Sequence, residues 1–331
     1  MCGINGVISF KHQLNKSLLS EMSRKTIHRG PDSSNEILID NHIYLQHNRL
    51  AIIDLNVRSE QPFFSQDRNY CIVFNGEIYN YVELRNDLIK LGYSFSTSSD
   101  TEVLLYLFIH FGLKVVDKIK GFYSFVIINI KKKQCHFFRD KSGIKPLFFY
   151  HYDDYFVFSS ELKSILSNNF VHKEIDYQAI KNYFSLGYIP SPRTPFAKIR
   201  QVQPGETIVL DISKNTKKHI KEELNTINEN QNIEINDVKD TIAKSVISST
   251  ISDVDIGLLL SSGLDSNILL YELLEKGIEV NPISIGFKSH EEFDETKLIK
   301  KIYDHYGLKQ NIIDISDFDF PSLFNKTIYH Q

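Results

Sequence analysis

Two different patterns of apolar residues divide this chain near residue 210, and they restrict its fold more than any other feature. Before that point, short runs rich in Ile, Val, Phe and Tyr follow one another with brief turns between them. This pattern predicts strands that pair antiparallel. After residue 235, apolar strands alternate with helices, which is typical of a parallel sheet. With 331 residues the chain is long enough for two domains. We predict an α+β domain over residues 2–210, a linker over 211–234 and a partial α/β domain over 235–331.

In the first domain the sequence predicts seven strands and three helices, layered as antiparallel sheets with helices. The strands are expected at residues 6–10, 44–53, 69–74, 122–130, 134–139, 147–150 and 155–159. The helices are expected at residues 18–29, 81–91 and 100–111. A capping box formed by Ser99 and Glu102 is predicted to begin the third helix.

The linker and the second domain are predicted from a change in composition. Residues 212–240 are rich in Lys, Asn, Glu and Ile and contain no Gly or Pro, so residues 214–234 are the best linker candidate. Beyond them the pattern predicts strands at 256–260, 282–287 and 310–315. Helices are expected at 267–276 and 295–306. About a hundred residues leave room for a parallel sheet of about three strands.

Charge, hydropathy and cysteine usage exclude several classes of protein. The formal charge of −3 gives no reason to expect a nucleic-acid partner. No apolar run reaches the roughly 20 residues that span a bilayer, and no secretion signal opens the chain. We therefore expect a cytoplasmic protein without a membrane partner. Its three cysteines include no CxxC pair, so Cys71 and Cys135 are predicted to be core residues and no zinc site is expected.

Cysteine at position 2 is the strongest candidate for covalent chemistry. If Met1 is removed, Cys2 carries both a thiol and a free α-amine. The pKa of such an amine is roughly 8, so near neutral pH it can accept the thiol proton. One residue can then act as nucleophile and general base. A cysteine near a terminus can also be no more than a small apolar residue, so other residues must decide.

Four further segments fit a site around Cys2. One of them, Arg29-Gly30-Pro31-Asp32, would commonly be a loop, and the others supply groups that the cleavage of a carboxamide needs. Attack by a thiolate creates an oxyanion, and Asn75 followed by Gly76 offers a side-chain amide beside a backbone N–H. Arg49 can clamp an α-carboxylate with two hydrogen bonds, and Asp100 can pair with an α-ammonium. Each segment also has a structural interpretation. Asn-Gly is typical of a hairpin turn, an acid is favoured at the start of a helix, and an arginine on a strand is commonly solvated or ion-paired.

An ordered set of motifs over residues 2–210 resembles the class II glutamine amidotransferase domain, in the version found in glutamine-hydrolysing asparagine synthetases. The motifs are Met1-Cys2-Gly3-Ile4, His28-Arg29-Gly30-Pro31-Asp32, Arg49-Leu50-Ala51-Ile52-Ile53-Asp54, Asn75-Gly76-Glu77-Ile78-Tyr79-Asn80, Ser99-Asp100-Thr101-Glu102, Arg139-Asp140-Lys141-Ser142-Gly143-Ile144-Lys145-Pro146-Leu147, Ser159-Ser160-Glu161-Leu162-Lys163 and Gly187-Tyr188-Ile189-Pro190-Ser191-Pro192-Arg193-Thr194. Each motif is weak alone, and the set in this order is specific.

The resemblance implies an N-terminal-nucleophile fold and a role for each matching residue. Cys2 would be the nucleophile, with its own amine as base, and Asn75 and Gly76 would form the oxyanion hole. Arg49 would hold the α-carboxylate of glutamine and Ile53 would line the pocket. Glu77 and Asp100 would complete substrate recognition. The products would be glutamate and ammonia, formed through a thioester, and this half would need no cofactor.

The segment 261–266 resembles the pyrophosphate loop of the ATP site in the same synthetases, although it could also be an ordinary serine-capped helix start. The resemblance implies that Leu260 and Ile285 contact ATP. Residues around the pyrophosphate and magnesium would be Ser261, Gly263, Asp265 and Ser266, with Asp265 as the magnesium ligand. The family reaction activates aspartate with ATP and passes ammonia to it internally.

Two departures from the family pattern raise further expectations. Ser262 stands where the family has a second glycine, and if that position needs positive φ, ATP binding is weakened. The sequence stops at Gln331, so we expect the synthetase half to be incomplete.

Three hypotheses about function stay open at this point. They are an asparagine synthetase, an amidotransferase for another carboxylate acceptor, and a non-catalytic remnant that binds glutamine or a partner chain. The resemblance allows a homodimer.

Overall fold

The computed structural model describes residues 1–221, 233–287, 292, 294–315 and 320–330. The chain forms two compact units, an N-terminal unit (Met1–Glu229) and a C-terminal unit (Asn230–Gln331). Among the described helices, none has the length and apolar character that a bilayer span requires.

Within residues 1–221, twelve strands form two six-stranded antiparallel sheets. The strands are β1 (Gly3–Ser9), β2 (Ser33–Ile39), β3 (Ile43–Arg49), β4 (Phe63–Phe64), β5 (Tyr70–Ile78), β6 (Gly121–Asn129), β7 (Gln134–Arg139), β8 (Phe148–Tyr152), β9 (Tyr155–Ser159), β10 (Ile199–Gln201), β11 (Glu206–Asp211) and β12 (Thr216–Lys221). The first sheet has the order β10-β8-β9-β1-β3-β2 and the second has the order β12-β11-β7-β6-β5-β4.

Five helices cover the two sheets, and the predicted α+β architecture is confirmed. The helices are α1 (Lys16–Thr26), α2 (Tyr81–Lys90), α3 (Asp100–Phe111), α4 (Leu162–Leu166) and α5 (Tyr177–Leu186). Apolar residues of both sheets, including Ile4 and Val73, form one core between them. A second core joins α3 to the second sheet, and a third joins α1 and α4 to the first sheet. Cys71 and Cys135 lie in the central core, as predicted.

Strands β2, β4, β10 and β11 were not predicted, and one predicted strand differs at the pair Asn75-Gly76. The prediction ended this strand at residue 74, but β5 continues through Asn75 and Gly76, which pair with Ser124 and Tyr123 of β6. The hairpin interpretation of Asn-Gly is therefore wrong. The dipeptide lies inside a strand because Gly76 has no side chain to collide with the neighbouring strand.

Two other predictions need correction. The strand predicted over 44–53 ends at Arg49, because the chain turns back to place the carbonyl groups of Asp54 and Asn56 against the Arg49 guanidinium. The predicted linker 211–234 contains β12, whose residues pair with β11 from Glu206–Lys221 to Asp211–Thr216. Residues 222–232 of that linker lie outside the described residues.

The start of α3 also differs from the predicted capping box. The Ser99 hydroxyl does cap the helix, since it accepts from the Thr101 N–H at 3.1 Å. The Glu102 carboxylate, however, accepts from the N–H groups of Ser96 and Thr97 rather than from Ser99. Glu102 thus ties the preceding loop to the helix and fixes the place at which α3 begins.

The C-terminal unit contains the predicted three-stranded parallel sheet. Its strands are β13 (Gly257–Leu259), β14 (Asn281–Gly286) and β15 (Ile312–Asp314), in sequence order. Its described helices are α6 (Ile235–Ser248), α7 (Leu264–Glu275), α8 (Thr296–His305) and α9 (Phe320–His330). Helix α7 begins at Leu264, three residues before the predicted start. Helix α6 falls in the charged stretch where no helix was predicted, and its Val246 packs into the core of this unit.

Candidate active site

The thiol of Cys2 lies at the start of β1, where the two sheets open onto a pocket. The Leu50 N–H donates to Cys2 Sγ at 3.4 Å, so a backbone dipole points at the sulfur. The Arg29 Nε donates to the Cys2 carbonyl oxygen at 3.0 Å and holds this end of the chain in place. Burial raises the pKa of the Cys2 thiol, so the resting sulfur stays protonated and needs a base.

All seven residues predicted for the glutaminase site line this one pocket, which encloses about 480 Å³ including its opening to solvent. They are Cys2, Arg49, Ile53, Asn75, Gly76, Glu77 and Asp100. These residues come from four segments far apart in sequence. The strand β5 brings Asn75, Gly76 and Glu77 beside the start of β1, and the first residue of α3 supplies Asp100.

The side-chain amide of Asn75 is fully buried and has no hydrogen-bond partner among the described residues. Both its Nδ2 and its Oδ1 are unpartnered. A buried polar atom without a partner costs about 1–3 kcal/mol, so such groups are rare in folded proteins. Because this amide lines the pocket beside Cys2, its N–H groups are available to a molecule bound there.

Gly76 tolerates no side chain at its position. A Cβ built on Gly76 would lie 2.2 Å from the Phe122 carbonyl oxygen and 2.7 Å from the Tyr123 Cα. Both atoms belong to the backbone of β6, so neither can move aside cheaply. The glycine therefore lets β5 pair closely with β6 while it lines the pocket next to Asn75.

The Arg49 guanidinium is buried at the end of β3. Its Nη1 donates to the Asn56 carbonyl oxygen at 3.0 Å, and its Nη2 donates to the Asp54 carbonyl oxygen. Among the described residues, no carboxylate forms an ion pair with it. A guanidinium has five N–H donors, so donors and a full positive charge remain for an anion in the pocket.

Asp100 provides a buried carboxyl group on the pocket wall. Its Oδ2 accepts from the Ile78 N–H at 3.0 Å. Burial, with a contribution from the nearby Glu77 carboxylate, raises the pKa of Asp100 to about 7. Titration of this group therefore falls within the physiological pH range. A cation bound in the pocket would lower its pKa and keep it ionised.

The structure also places residues in the pocket to which the sequence assigned no role. Gln61, Phe74, Thr101 and Lys145 line it. Gln61 follows an irregular segment without any chemical motif, so no signal in a single sequence points to it. Lys145 belongs to a motif that carried the resemblance, but no role was assigned to it. Arg29 belongs to another such motif, and its hydrogen bond to the Cys2 carbonyl oxygen was not predicted.

Part of the predicted nucleotide site also lines a pocket. Leu260, Ser261 and Ile285 line an apolar cleft in the C-terminal unit, together with Leu259, Ile283, Phe287, Glu295 and Ile299. Gly263 caps α7, and Asp265 and Ser266 lie in the first turn of that helix. The Ser266 hydroxyl accepts from the Ser261 N–H at 3.2 Å and so closes the loop.

Ser262 does not adopt a positive φ, so the strain expected from the missing glycine does not arise there. Its N–H donates to the Glu295 carboxylate at 2.9 Å. Asp265 is exposed, and no group of three or more candidate metal ligands occurs among the described residues. A single carboxylate still fits Mg²⁺ that is held mainly by phosphate oxygens and water.

Each half of the chain matches the model of a known protein family. Residues 1–221 match the family model described as a glutamine amidotransferase domain, and residues 237–331 match the one described as asparagine synthase. The first match covers more than half of the chain.

Two relatives extend the similarity over nearly the whole chain. Glutamine-hydrolysing asparagine synthetase 1 of Bacillus subtilis strain 168 is 34% identical over 338 residues, which cover 100% of this chain and 52% of the relative. A putative glutamine-hydrolysing asparagine synthetase 2 of Methanocaldococcus jannaschii is 32% identical over 351 residues, which cover 98% of this chain and 67% of the relative. The chain thus spans about half the length of the Bacillus protein.

A solved structure shows the same fold. Glutamine phosphoribosylpyrophosphate amidotransferase from B. subtilis superposes with a TM-score of 0.50 at 18% identity, over 85% of this chain and 65% of that chain. At this identity the likeness is evidence for the fold alone, and it confirms the predicted N-terminal-nucleophile type.

Proposed function

Because this chain belongs to the family of glutamine-hydrolysing asparagine synthetases, we propose that its N-terminal pocket binds glutamine and hydrolyses the side-chain amide to glutamate and ammonia. The observation that supports this most strongly is the buried, unpartnered amide of Asn75 in the pocket that Cys2 lines. An oxyanion-hole donor is held in place for the charge that develops on the substrate, and an amide without a partner among the described residues suits that role.

The reaction would proceed through a thioester. After removal of Met1, the Cys2 α-amine takes the thiol proton, and Sγ forms a bond to the amide carbon of glutamine. Asn75 Nδ2 and the Gly76 N–H donate to the resulting oxyanion. The C–N bond then breaks, and the amine's proton leaves with the nitrogen as ammonia. Water attacks the thioester to release glutamate and restore the thiol.

The charged groups of the pocket would orient the substrate. Arg49 would hold the α-carboxylate with the donors that its carbonyl contacts leave unused. Asp100 and Glu77 would hold the α-ammonium, and Ile53 would contact the methylene groups of the side chain. With the α-carboxylate and the α-ammonium held by these charges, the side-chain amide of glutamine would extend toward Cys2.

For the C-terminal unit we propose the ATP-dependent half of the family reaction. ATP would contact Leu260 and Ile285, with its phosphates near Ser261, Gly263, Asp265 and Ser266. Asp265 would supply one carboxylate to a Mg²⁺ ion carried by those phosphates, and the glutaminase half would use no cofactor. Aspartate would be the acceptor of the ammonia, and another carboxylate is the competing hypothesis. A homodimer and a cytoplasmic location stay predictions.

The purified protein should release glutamate and ammonia from glutamine in equal amounts. A version that keeps an uncleaved peptide before Cys2 is the matched control, because it has the same thiol but no free amine on that residue. It should be inactive. Mass spectrometry of the active protein should show that Met1 is absent, and full activity with Met1 in place would contradict the amine-base mechanism.

Repeating that assay with ATP, Mg²⁺ and aspartate tests the acceptor. Asparagine among the products would support aspartate. Ammonia release with no amidated aspartate would contradict that acceptor and leave the glutaminase proposal standing.

Glutamine binding should weaken as pH falls through 7, because protonation of Asp100 removes the charge that pairs with the α-ammonium. Measured by calorimetry in a Cys2→Ala background, the Kd at pH 6 should be about tenfold higher than at pH 8. Glu77→Gln should move the midpoint to lower pH, since the Glu77 charge helps to raise the pKa of Asp100. A Kd that does not change between pH 6 and 8 would contradict this role of Asp100.

A further inference from the structure

The backbone of Phe74, the residue before Asn75, lies at an edge of the second sheet that no strand covers. Strand β4 pairs with β5 only at Phe63–Ile72 and Phe64–Cys71. Within residues 1–221, β4 is the last strand on that side of the sheet. The N–H and C=O of Phe74 therefore need partners from side chains, since buried backbone groups are nearly always hydrogen-bonded.

Two buried side chains from other segments provide those partners. The Phe74 N–H donates to Gln61 Oε1 at 2.6 Å. The Phe74 carbonyl oxygen lies 3.1 Å from His47 Nε2. Because a carbonyl oxygen only accepts, Nε2 must carry the proton. Burial lowers the pKa of His47 to about 3, so the ring is neutral and this tautomer is held at physiological pH.

Gln61 is itself fixed at its other end. Its Nε2 donates to Thr101 Oγ1 at 3.2 Å, one residue after Asp100 in α3. With Oε1 committed to the Phe74 N–H, the amide group has a single orientation. His47 lies on β3, two residues before Arg49. The chain His47–Phe74–Gln61–Thr101 thus connects the three elements that carry Arg49, Asn75 and Asp100.

We propose that Gln61 and His47 are positioning residues that bind the two peptide groups flanking Phe74 at this uncovered edge and thereby aim the Asn75 amide at the oxyanion. The proposal rests on the glutaminase function proposed above. No hydrogen bond within the described residues holds the Asn75 amide, so its direction depends on the backbone that carries it. A displacement of about 1 Å at such a donor can lower a rate a hundredfold. Neither residue contacts the reacting atoms in this scheme.

The expected signature is a loss of turnover without a loss of substrate binding. Asn75 would act on the transition state, whereas Arg49 and Asp100 bind the ground state. Gln61→Met and His47→Leu should each lower kcat about tenfold to a hundredfold. The Kd for glutamine, measured in a Cys2→Ala background, should change less than about threefold.

Two control variants separate positioning from general destabilisation. Gln46 is also fully buried on β3, but its amide bonds to Asn5 and Asn48, away from the pocket. Gln46→Met should lose stability yet keep the wild-type kcat below its unfolding temperature. His47→Gln retains an N–H donor with nearly the reach of His47 Nε2, so it should recover most of the activity that His47→Leu loses.

The outcomes of this series are distinct. The positioning role is refuted if Gln61→Met has the same kcat as Gln46→Met. It is also refuted if Gln61→Met weakens glutamine binding and leaves kcat unchanged. In both cases the glutaminase function stands. An inactive wild-type protein would refute both. If Gln61→Met does not unfold cooperatively, the pair His47→Leu and His47→Gln decides. Equal kcat values in that pair would overturn the proposal.

Discussion

Replacing Cys2 with alanine should abolish glutamine hydrolysis and leave the fold intact. Removal of a catalytic nucleophile costs several orders of magnitude, so we expect kcat to fall by about 10⁴-fold or more. The sulfur makes two weak hydrogen bonds to the Leu50 backbone, accepting from its N–H at 3.4 Å and donating to its carbonyl oxygen at 3.7 Å, so little stability depends on it. The measurement is ammonia release at saturating glutamine, together with thermal unfolding and the Kd for glutamine. Binding should be retained, because Arg49 and Asp100 are unchanged.

The other two cysteines offer matched controls for this substitution. Cys71 and Cys135 are fully buried between the sheets and do not line the pocket. Cys71→Ala and Cys135→Ala should lower stability through lost packing and leave the activity per folded molecule unchanged. Cys2→Ser should be nearly as inactive as Cys2→Ala, because a hydroxyl is a far weaker acid than a thiol. Undiminished turnover by Cys2→Ala would point to a different nucleophile.

A helix or strand could be predicted from this sequence where a pattern of neighbouring residues marks it. The central strands of both sheets were found because their apolar runs are long and local, as in β6 and β7. Among the strands that were missed, β4 and β10 contain only two and three residues, too few to show a pattern. Helix α5 was also missed, although Ile180, Tyr183 and Phe184 fall at helical spacing.

The site shows the same division. Its seven predicted residues were found through motifs whose order the family resemblance supplied, and the structure gathers them around one pocket. Gln61 and His47 were missed because their partner is the backbone of Phe74, which any residue type could have supplied. When a side chain binds a backbone group, the partner can be any residue type, so the sequence contains no matching residue that would indicate the contact. The Asn75-Gly76 pair was ambiguous for a related reason, because the close approach of β6 that demands a glycine is visible only in three dimensions.

Asn75→Ala should lower kcat strongly without lowering stability, a combination that few substitutions of a buried polar residue produce. Loss of one oxyanion-hole donor costs about 10²–10³-fold in kcat. The buried amide has no partner among the described residues, so its removal breaks no hydrogen bond within the described part of the protein. The free energy of unfolding should therefore stay the same or rise. Denaturant unfolding and steady-state kinetics measure the two effects separately.

Asn129 provides the opposite case within the same sheet. It is also buried, at the far end of the adjacent strand β6, but its Oδ1 accepts from the Lys132 N–H at 2.9 Å. Asn129→Ala should lose about 1 kcal/mol of stability and keep the wild-type kcat, because it breaks a satisfied bond far from the pocket. If Asn75→Ala instead lost stability as Asn129→Ala does and kept its turnover, Asn75 would be a structural residue. Because the Asn75 amide bonds to no described residue, the stability measurement tests the proposed mechanism alongside the rate.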